Sequence, residues 1–189
     1  MKVLNLPNTL SLVRVFLAPL VLLFLSLRIS TPVPYVPDMG GGSPTWGDFL
    51  AGGVFIVAAI TDSLDGYIAR KHKLVTTLGK FIDPLADKVL VIAAMVALVE
   101  LQRVPAWMVV VIITREFVVT GLRLVASAEG VVIAASRGGK IKTVFQIIAI
   151  SLLILKLPGG MWLMWVAMFL TVWSGMEYLI DGAKMLIEE

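Results

Sequence analysis

The chain has 189 residues, of which 59% are hydrophobic and 15% charged, and its mean hydropathy is +0.96. Soluble domains carry about 25% charged residues, so this composition excludes an ordinary soluble protein and indicates an integral membrane protein. Cysteine is absent, which excludes disulfides, thiolate metal sites and a cysteine nucleophile. The single histidine, His72, lies between two lysines, so a metal site in this chain is expected to use oxygen ligands.

Six apolar stretches follow in chain order, each close to the roughly 20 residues that a helix needs to cross a bilayer. The first resembles a secretory signal in its position, but no small-residue cleavage site follows it, so it is interpreted as an anchor. The short segment before it, residues 1–8, is predicted to lie on the membrane surface. The sequence predicts an all-α integral membrane protein with one domain over 1–189 and spans at about 10–27, 49–69, 78–101, 106–126, 140–157 and 161–180.

The basic residues are distributed unevenly between the two ends of these spans. With a cytoplasmic N-terminus, all the lysines and arginines fall on the inner side except Arg28, Arg103 and Lys156. Because cytoplasmic loops are enriched in Lys and Arg, both termini are predicted to be cytoplasmic. Indole rings favour the headgroup level, and four tryptophans fall at the outer ends of spans under the same assignment: Trp46, Trp107, Trp162 and Trp165. The Pro- and Gly-rich loop between the first two spans is predicted to be irregular.

Acidic residues cluster where the second and third spans meet. Charges at membrane depth are energetically expensive, so these acids are interpreted as functional. Residues three or four apart lie on one face of a helix, which places two aspartates, a glycine and an alanine in one stripe and two aspartates and a glycine in another. The connecting segment is long enough to reverse the chain, so the stripes are predicted to face each other. The motif is Asp62-x-x-Asp65-Gly66-x-x-Ala69-Arg70, eight residues, then Gly79-x-x-x-Asp83-x-x-x-Asp87.

Pro84 leaves two interpretations of the backbone open within this motif. Proline removes one helical hydrogen bond and disfavours helix at the residue before it. Either a helix continues through Pro84 with a kink, or a helix begins at Asp83. The kinked, continuous helix is the preferred interpretation.

Four converging carboxylates in a cavity of low dielectric constant need compensating positive charge. Two divalent cations would supply it, and oxygen-only ligation suits Mg²⁺ or Mn²⁺. Paired ions of this kind clamp the attacking and leaving oxygens of a phosphoryl displacement, and Arg70 is placed to bind a diphosphate. The plainer alternative is that the acids pair with basic neighbours on a solvated loop. Four acids at helical spacing, with small residues between them, favour the metal site.

The fixed positions of this motif resemble the signature of the CDP-alcohol phosphotransferases. The resemblance implies six transmembrane helices, usually in a homodimer, and a dimetal site that faces the cytoplasm. Such enzymes transfer a phosphatidyl or similar group from a CDP-linked donor to an alcohol and release CMP. Carried onto this sequence, the resemblance makes Asp62, Asp65, Asp83 and Asp87 the metal ligands, Asp87 also the catalytic base, and Gly66, Ala69, Arg70 and Gly79 the lining of the CDP pocket.

Four further stretches, 5–14, 114–123, 139–143 and 174–178, resemble the bacterial members of this family that make phosphatidylglycerol phosphate. The resemblance implies transfer from CDP-diacylglycerol to sn-glycerol 3-phosphate at the bacterial cytoplasmic membrane. The phosphate of this acceptor would be bound by four basic residues near the inner end of a cavity open to the cytoplasm: Arg115, Arg123, Lys140 and Lys142. The alternative for these cations is positive-inside anchoring. Asn8 and Arg14 either contact the nucleotide or seat the chain at the headgroups.

Three other functions fit parts of the same pattern. Sister enzymes that use inositol phosphate, serine or phosphatidylglycerol as acceptor share the acidic motif. A membrane prenyltransferase also binds diphosphate through aspartates and magnesium, but it usually has two acidic motifs on distant helices, whereas this chain has one cluster. A cation transporter or channel uses intramembrane carboxylates without needing Gly66, Ala69 and Arg70. The sequence assigns no role to Glu116 or Glu177.

Overall fold

The computed structural model describes residues 6–27, 31–34, 38, 42–71, 77–128 and 137–187. Within these ranges, the side chains of 6–8, 10–11, 62–71, 77–84, 87, 127–128, 137 and 181–187 lie outside the described part. The described backbone is helical, without strands, which confirms the all-α prediction, and each predicted span coincides with one helix. The helices are α1 (Leu6–Ser26), α2 (Trp46–Lys71), α3 (Thr77–Glu100), α4 (Ala106–Ala128), α5 (Arg137–Ile154) and α6 (Gly160–Ile187).

The helices pack around one apolar core. α1 packs against α2 and α3, and α6 packs against α4 and α5. Glycines allow close approach between helices: a Cβ on Gly52 of α2 would lie 2.8 Å from Cδ2 of Leu155, which follows α5. Such close packing drives helix association in lipid, where apolar side chains gain little by leaving the hydrocarbon. The core draws side chains from all six helices, among them Val21, Phe55, Leu98, Ile112, Ile150 and Met164.

Large apolar side chains are also exposed on every helix, examples being Phe16, Val57, Val96, Val110, Ile148 and Phe169. Soluble monomers rarely expose so much apolar surface, so these outer faces suit contact with lipid. Among the described residues, one segment, Gly160–Ile180, is long and apolar enough by itself to cross a membrane. Leu12–Ser26 and Trp46–Thr61 are shorter apolar segments. The number of membrane spans therefore stays a prediction.

Helix α3 decides between the two interpretations of Pro84. It begins at Thr77 and runs without interruption to Glu100. A helix that begins at Asp83 is thereby excluded, and the continuous helix is confirmed. Asp83 and Asp87 consequently lie within one helix, one turn apart.

The C-terminal ends of α3 and α5 are capped by the same backbone conformation. After α3, Gln102 adopts a left-handed conformation (φ 56°), and the Arg103 N–H donates to the Leu98 carbonyl at 2.9 Å. After α5, Lys156 does the same (φ 55°), and the Leu157 N–H donates to the Leu152 carbonyl at 2.8 Å. This pattern satisfies the last carbonyls of each helix. It also turns the chain so that Arg103 and Lys156 reach the start of α2.

Asp48, in the first turn of α2, is the carboxylate that these two cations meet. Its Oδ1 accepts from Arg103 Nη2 at 2.7 Å, and its Oδ2 lies 3.2 Å from Lys156 Nζ. Thr45 and Asp48 also form a capping box: the Thr45 N–H donates to Asp48 Oδ2 at 2.9 Å, and the Asp48 N–H donates to Thr45 Oγ1 at 3.3 Å. Asp48 is 3% exposed. One buried carboxylate thus ties together the ends of three helices.

Replacing Asp48 with Asn should destabilise the protein by about 2 kcal/mol, because two part-buried cations would lose their common counter-charge. The melting temperature of the purified protein in detergent measures this loss. Glu100→Gln is the matched control, since Glu100 is exposed at the end of α3. Equal melting temperatures for the two variants would show that the Asp48 cluster contributes nothing to stability.

Candidate active site

The four predicted metal ligands lie on two consecutive helices that contact each other. Asp62 and Asp65 belong to the last part of α2, and Asp83 and Asp87 belong to the first half of α3. Because both segments of the motif are helical, residues three and four positions apart share a face, as the predicted stripes require. The side chains of the four aspartates lie outside the described residues, so their convergence and metal binding stay predictions. The same holds for the predicted CDP-pocket residues Gly66, Ala69, Arg70 and Gly79.

The donor chemistry of these positions fits a hard divalent cation, because all four side chains offer carboxylate oxygens. Among the side chains that the structure describes, no group of three or more His, Cys, Asp or Glu residues is arranged to hold a metal. The acidic motif on α2 and α3 remains the candidate metal centre of this chain.

A second cluster of charged side chains centres on Glu116 of α4. Its Oε2 accepts from Lys88 Nζ of α3 at 2.8 Å, and its Oε1 pairs with Lys142 Nζ of α5. The same Oε1 lies 3.4 Å from Arg115 Nη1. These four side chains are only 5 to 17% exposed. We call this group the Glu116 cluster; it joins three helices around one carboxylate.

Arg115 makes further contacts with α6. Its Nη2 donates to Ser174 Oγ at 2.7 Å, and its guanidinium carbon lies 5.8 Å from the centre of the Tyr178 ring, within range of a cation–π interaction. The aliphatic part of the Arg115 side chain lies against Gly175, where a Cβ would be 2.8 Å from Arg115 Cγ. Arg115 is thus held from its own helix and from α6 at the same time.

The structure brings together two of the four basic residues predicted to bind the acceptor phosphate. Arg115 and Lys142 meet at Glu116, and Lys142 is almost fully buried. Arg123 of α4 and Lys140 of α5 are exposed, as the positive-inside alternative would have them. For all four, acceptor binding stays a prediction.

The two residues predicted to serve the nucleotide from the first span lie on α1. Arg14 is 2% exposed, whereas a side chain that seats the chain at lipid headgroups would be expected to reach the surface. Its burial favours a role inside the protein. The side chain of Asn8 lies outside the described residues.

Sequence reasoning missed the partners in the Glu116 cluster and the contacts of Arg115 with α6. Glu116 was detectable as an acid at membrane depth, but its partners Lys88 and Lys142 are 28 and 26 positions away in the chain. The other acid without a predicted role, Glu177, is exposed and accepts from Trp173 Nε1 at 3.0 Å. Glu177 therefore does not belong to the Glu116 cluster.

The model of the family described as CDP-alcohol phosphatidyltransferase matches residues 4–173. This range includes the α2–α3 motif and all four residues of the Glu116 cluster. The chain belongs to the CDP-alcohol phosphatidyltransferase family. This assignment confirms the resemblance found in the motif. It favours a transferase over the prenyltransferase and cation-transporter alternatives.

Individual relatives in several bacteria are similar over nearly their whole length. The CDP-diacylglycerol--glycerol-3-phosphate 3-phosphatidyltransferase of Bacillus subtilis (strain 168) is 47% identical over 191 residues, with 96% of this chain and 97% of the relative covered. Proteins of the same name from Rickettsia typhi and Haemophilus influenzae are each 36% identical. The alignments cover 92% and 97% of this chain, and 94% and 96% of those relatives. The similarity therefore extends across every helix of the family member described here.

Proposed function

We propose that this chain transfers the phosphatidyl group of CDP-diacylglycerol to sn-glycerol 3-phosphate, giving phosphatidylglycerol phosphate and CMP. The observation that carries the proposal is the near full-length similarity to relatives named for that activity, with the whole acidic motif intact. Membership of the CDP-alcohol phosphatidyltransferase family supports the donor class and the reaction type. The acceptor assignment rests on the relatives' names and on the cations around Glu116.

The residues of the motif have distinct proposed roles in this reaction. Asp62, Asp65, Asp83 and Asp87 would hold two Mg²⁺ or Mn²⁺ ions, which when bound would neutralise charge on the diphosphate. Asp87 is also the base that takes the proton of the acceptor's primary hydroxyl. The oxygen of that hydroxyl attacks the β-phosphorus of CDP-diacylglycerol, the bond from this phosphorus to the CMP oxygen breaks, and CMP leaves.

The donor would be held by residues that leave room beside the acids. Gly66, Ala69 and Gly79 have small or no side chains, which suits close approach of the CDP group to α2 and α3. Arg70 would bind the diphosphate, since a guanidinium offers two parallel donors to phosphate oxygens. Asn8 and the buried Arg14 are proposed to contact the nucleotide from α1.

The acceptor would be held by its phosphate. Arg115 and Lys142 are cations from two different helices that already meet around one carboxylate in this structure. A phosphate, like the Glu116 carboxylate, accepts hydrogen bonds through anionic oxygens, and it carries more negative charge. The same side chains are therefore suited to bind it. Arg123 and Lys140, exposed on the same two helices, are proposed to attract the acceptor at the entrance.

We further propose that α1 to α6 all cross the bacterial cytoplasmic membrane as a single catalytic domain, with both termini and the active site on the cytoplasmic side. The exposed apolar faces of all six helices support this arrangement. The side chains of Trp46, Trp107, Trp162 and Trp165 are all exposed, as a belt at the outer headgroups requires. Homodimerisation is proposed from the family resemblance.

An acceptor panel tests the proposed reaction. Purified protein with CDP-diacylglycerol and Mg²⁺ should release CMP when sn-glycerol 3-phosphate is added, and the labelled acceptor should enter the lipid fraction. Serine, inositol phosphate and phosphatidylglycerol should give at most about 1% of that rate, because none matches a site built for this phosphate and hydroxyl. A faster reaction with any of these three would transfer the assignment to a sister activity.

Removal of divalent metal tests the proposed cofactor. Excess EDTA should reduce CMP release to background, and added Mg²⁺ or Mn²⁺ should restore it, because the four carboxylates would otherwise repel the diphosphate. NaCl at the same ionic strength is the control for the added salt. Undiminished activity in EDTA, with no metal detected in the protein by elemental analysis, would contradict the dimetal proposal.

A further inference from the structure

We propose that Ser174 and Gly175 of α6 are positioning residues for acceptor binding: they form a seat that fixes Arg115, and through it they set the KM for the phosphorylated acceptor. This inference rests on the proposed function. Neither residue needs to touch the substrate, because both act through the Arg115 side chain.

Gly175 provides the space that the Arg115 side chain occupies. A Cβ at this position would lie 2.8 Å from Cγ, 3.1 Å from Nε and 3.5 Å from Cδ of Arg115. Real Cβ atoms essentially never lie as close to another atom as the 2.8 Å to Cγ, so even alanine would force a displacement. Cγ lies near the backbone of α4, which means that Arg115 cannot relieve the overlap by moving its tip alone. A methyl group at Gly175 would therefore shift the whole guanidinium.

Ser174 fixes the far end of the same side chain. Its hydroxyl accepts from Arg115 Nη2 at 2.7 Å and in turn donates to the Leu170 carbonyl at 2.7 Å, which holds the hydroxyl in place. Ser174 is 1% exposed, so water does not compete for this bond. On the other side of the guanidinium, Arg115 Nη1 faces Glu116 Oε1.

By fixing the orientation of the Arg115 guanidinium, this seat affects ligand binding as well as stability. Arg recognises phosphate through two parallel hydrogen bonds, which require the guanidinium plane to have one orientation. An arginine that is already ordered loses less side-chain entropy when the ligand binds. Ser174 and Gly175 thereby contribute to acceptor affinity, whereas the aspartates of the α2–α3 motif govern turnover. The stretch 174–178 thus has a proposed role in acceptor binding that is separate from the role of the acidic motif.

The test is steady-state kinetics on Gly175→Ala and Ser174→Ala in the full chain. Gly175→Ala should raise the KM for sn-glycerol 3-phosphate about 10-fold and Ser174→Ala about 5-fold. In both variants kcat and the KM for CDP-diacylglycerol should change by less than about two-fold. Inorganic phosphate, used as a competitive inhibitor against the acceptor, should show a Ki that rises by the same factor as the KM.

Gly121→Ala is the matched control for the added methyl group. Gly121 lies on α4 and is exposed, and a Cβ there would meet no atom within 4 Å. This variant should keep the parental KM for both substrates. Glu177→Gln is the control for a change on the same turn of α6 as the seat, since Glu177 contacts Trp173 instead of Arg115.

A double-mutant cycle separates the seat from general damage to α6. In an Arg115→Ala background the Cγ, Cδ and Nε atoms are gone, so adding Gly175→Ala should change kcat/KM for the acceptor by less than about two-fold. An undiminished 10-fold effect in that background would overturn the proposal, as would an unchanged acceptor KM in both single variants or a loss confined to kcat. If the parent protein instead releases no CMP with sn-glycerol 3-phosphate, the proposed function itself is wrong.

Discussion

Asp87→Asn is expected to lower CMP release by about 10³-fold. Asparagine keeps the size of the side chain but cannot take the proton of the acceptor hydroxyl, and it also withdraws one of the four proposed metal-binding charges. Because Asp87 lies within a helix that continues to Glu100, the substitution should leave the backbone of α3 in place. The rate of CMP release at saturating substrates measures the effect.

The control for Asp87→Asn is Glu177→Gln, which neutralises an exposed acid far along the chain on α6. This control should retain full activity, and both variants should have the melting temperature of the parent to within a few degrees. An Asp87→Asn protein that keeps more than about a tenth of the parental rate would remove the base assignment. A folded but inactive Asp87→Asn protein would agree with it.

Arg115→Ala should produce the second largest effect, a fall of about 100-fold in kcat/KM for sn-glycerol 3-phosphate. The loss should lie mainly in the acceptor KM, with the KM for CDP-diacylglycerol within about two-fold of the parent. Arg115→Lys keeps the positive charge but not the paired donors that reach Ser174 and Glu116. It should therefore lie between the parent and Arg115→Ala.

The donor KM is the internal control for the Arg115 variants, because a general loss of folded protein lowers the rate without changing either KM. A proportional rise in both KM values would place Arg115 in the structure of the whole site. An Arg115→Ala protein with the parental acceptor KM would remove Arg115 from acceptor binding. Lys142→Ala offers a second measurement, since Lys142 contacts the same carboxylate from α5.

The helices of this protein were predictable because each lies in a largely apolar stretch of the sequence that is bounded by charged or turn-forming residues. The left-handed residues Gln102 and Lys156 were not predictable, because that conformation is usually taken by glycine. The ion pairs that join three helix ends at Asp48 were not predictable either, because Arg103 and Lys156 follow Asp48 by 55 and 108 positions in the chain.

The acidic motif was readable for a different reason: all its members lie within two helices that follow each other in the chain, so local helical spacing decides which of them share a face. The Glu116 cluster depends instead on how α3, α4 and α5 pack. No periodicity within one helix indicates that Lys142 turns inward toward Glu116 while Lys140 is exposed. Nor does the sequence reveal that Gly175 makes room for Arg115. These relations belong to tertiary packing.

The central proposition is that Asp62, Asp65, Asp83 and Asp87 together hold two divalent cations beneath the diphosphate of a CDP-lipid. The most direct measurement is anomalous diffraction at the manganese edge from crystals of the protein grown with Mn²⁺ and CDP-diacylglycerol. The proposal predicts two manganese peaks enclosed by oxygens of these four aspartates, with the lipid diphosphate beside them. Crystals that contain the bound lipid but no manganese among these side chains would contradict it.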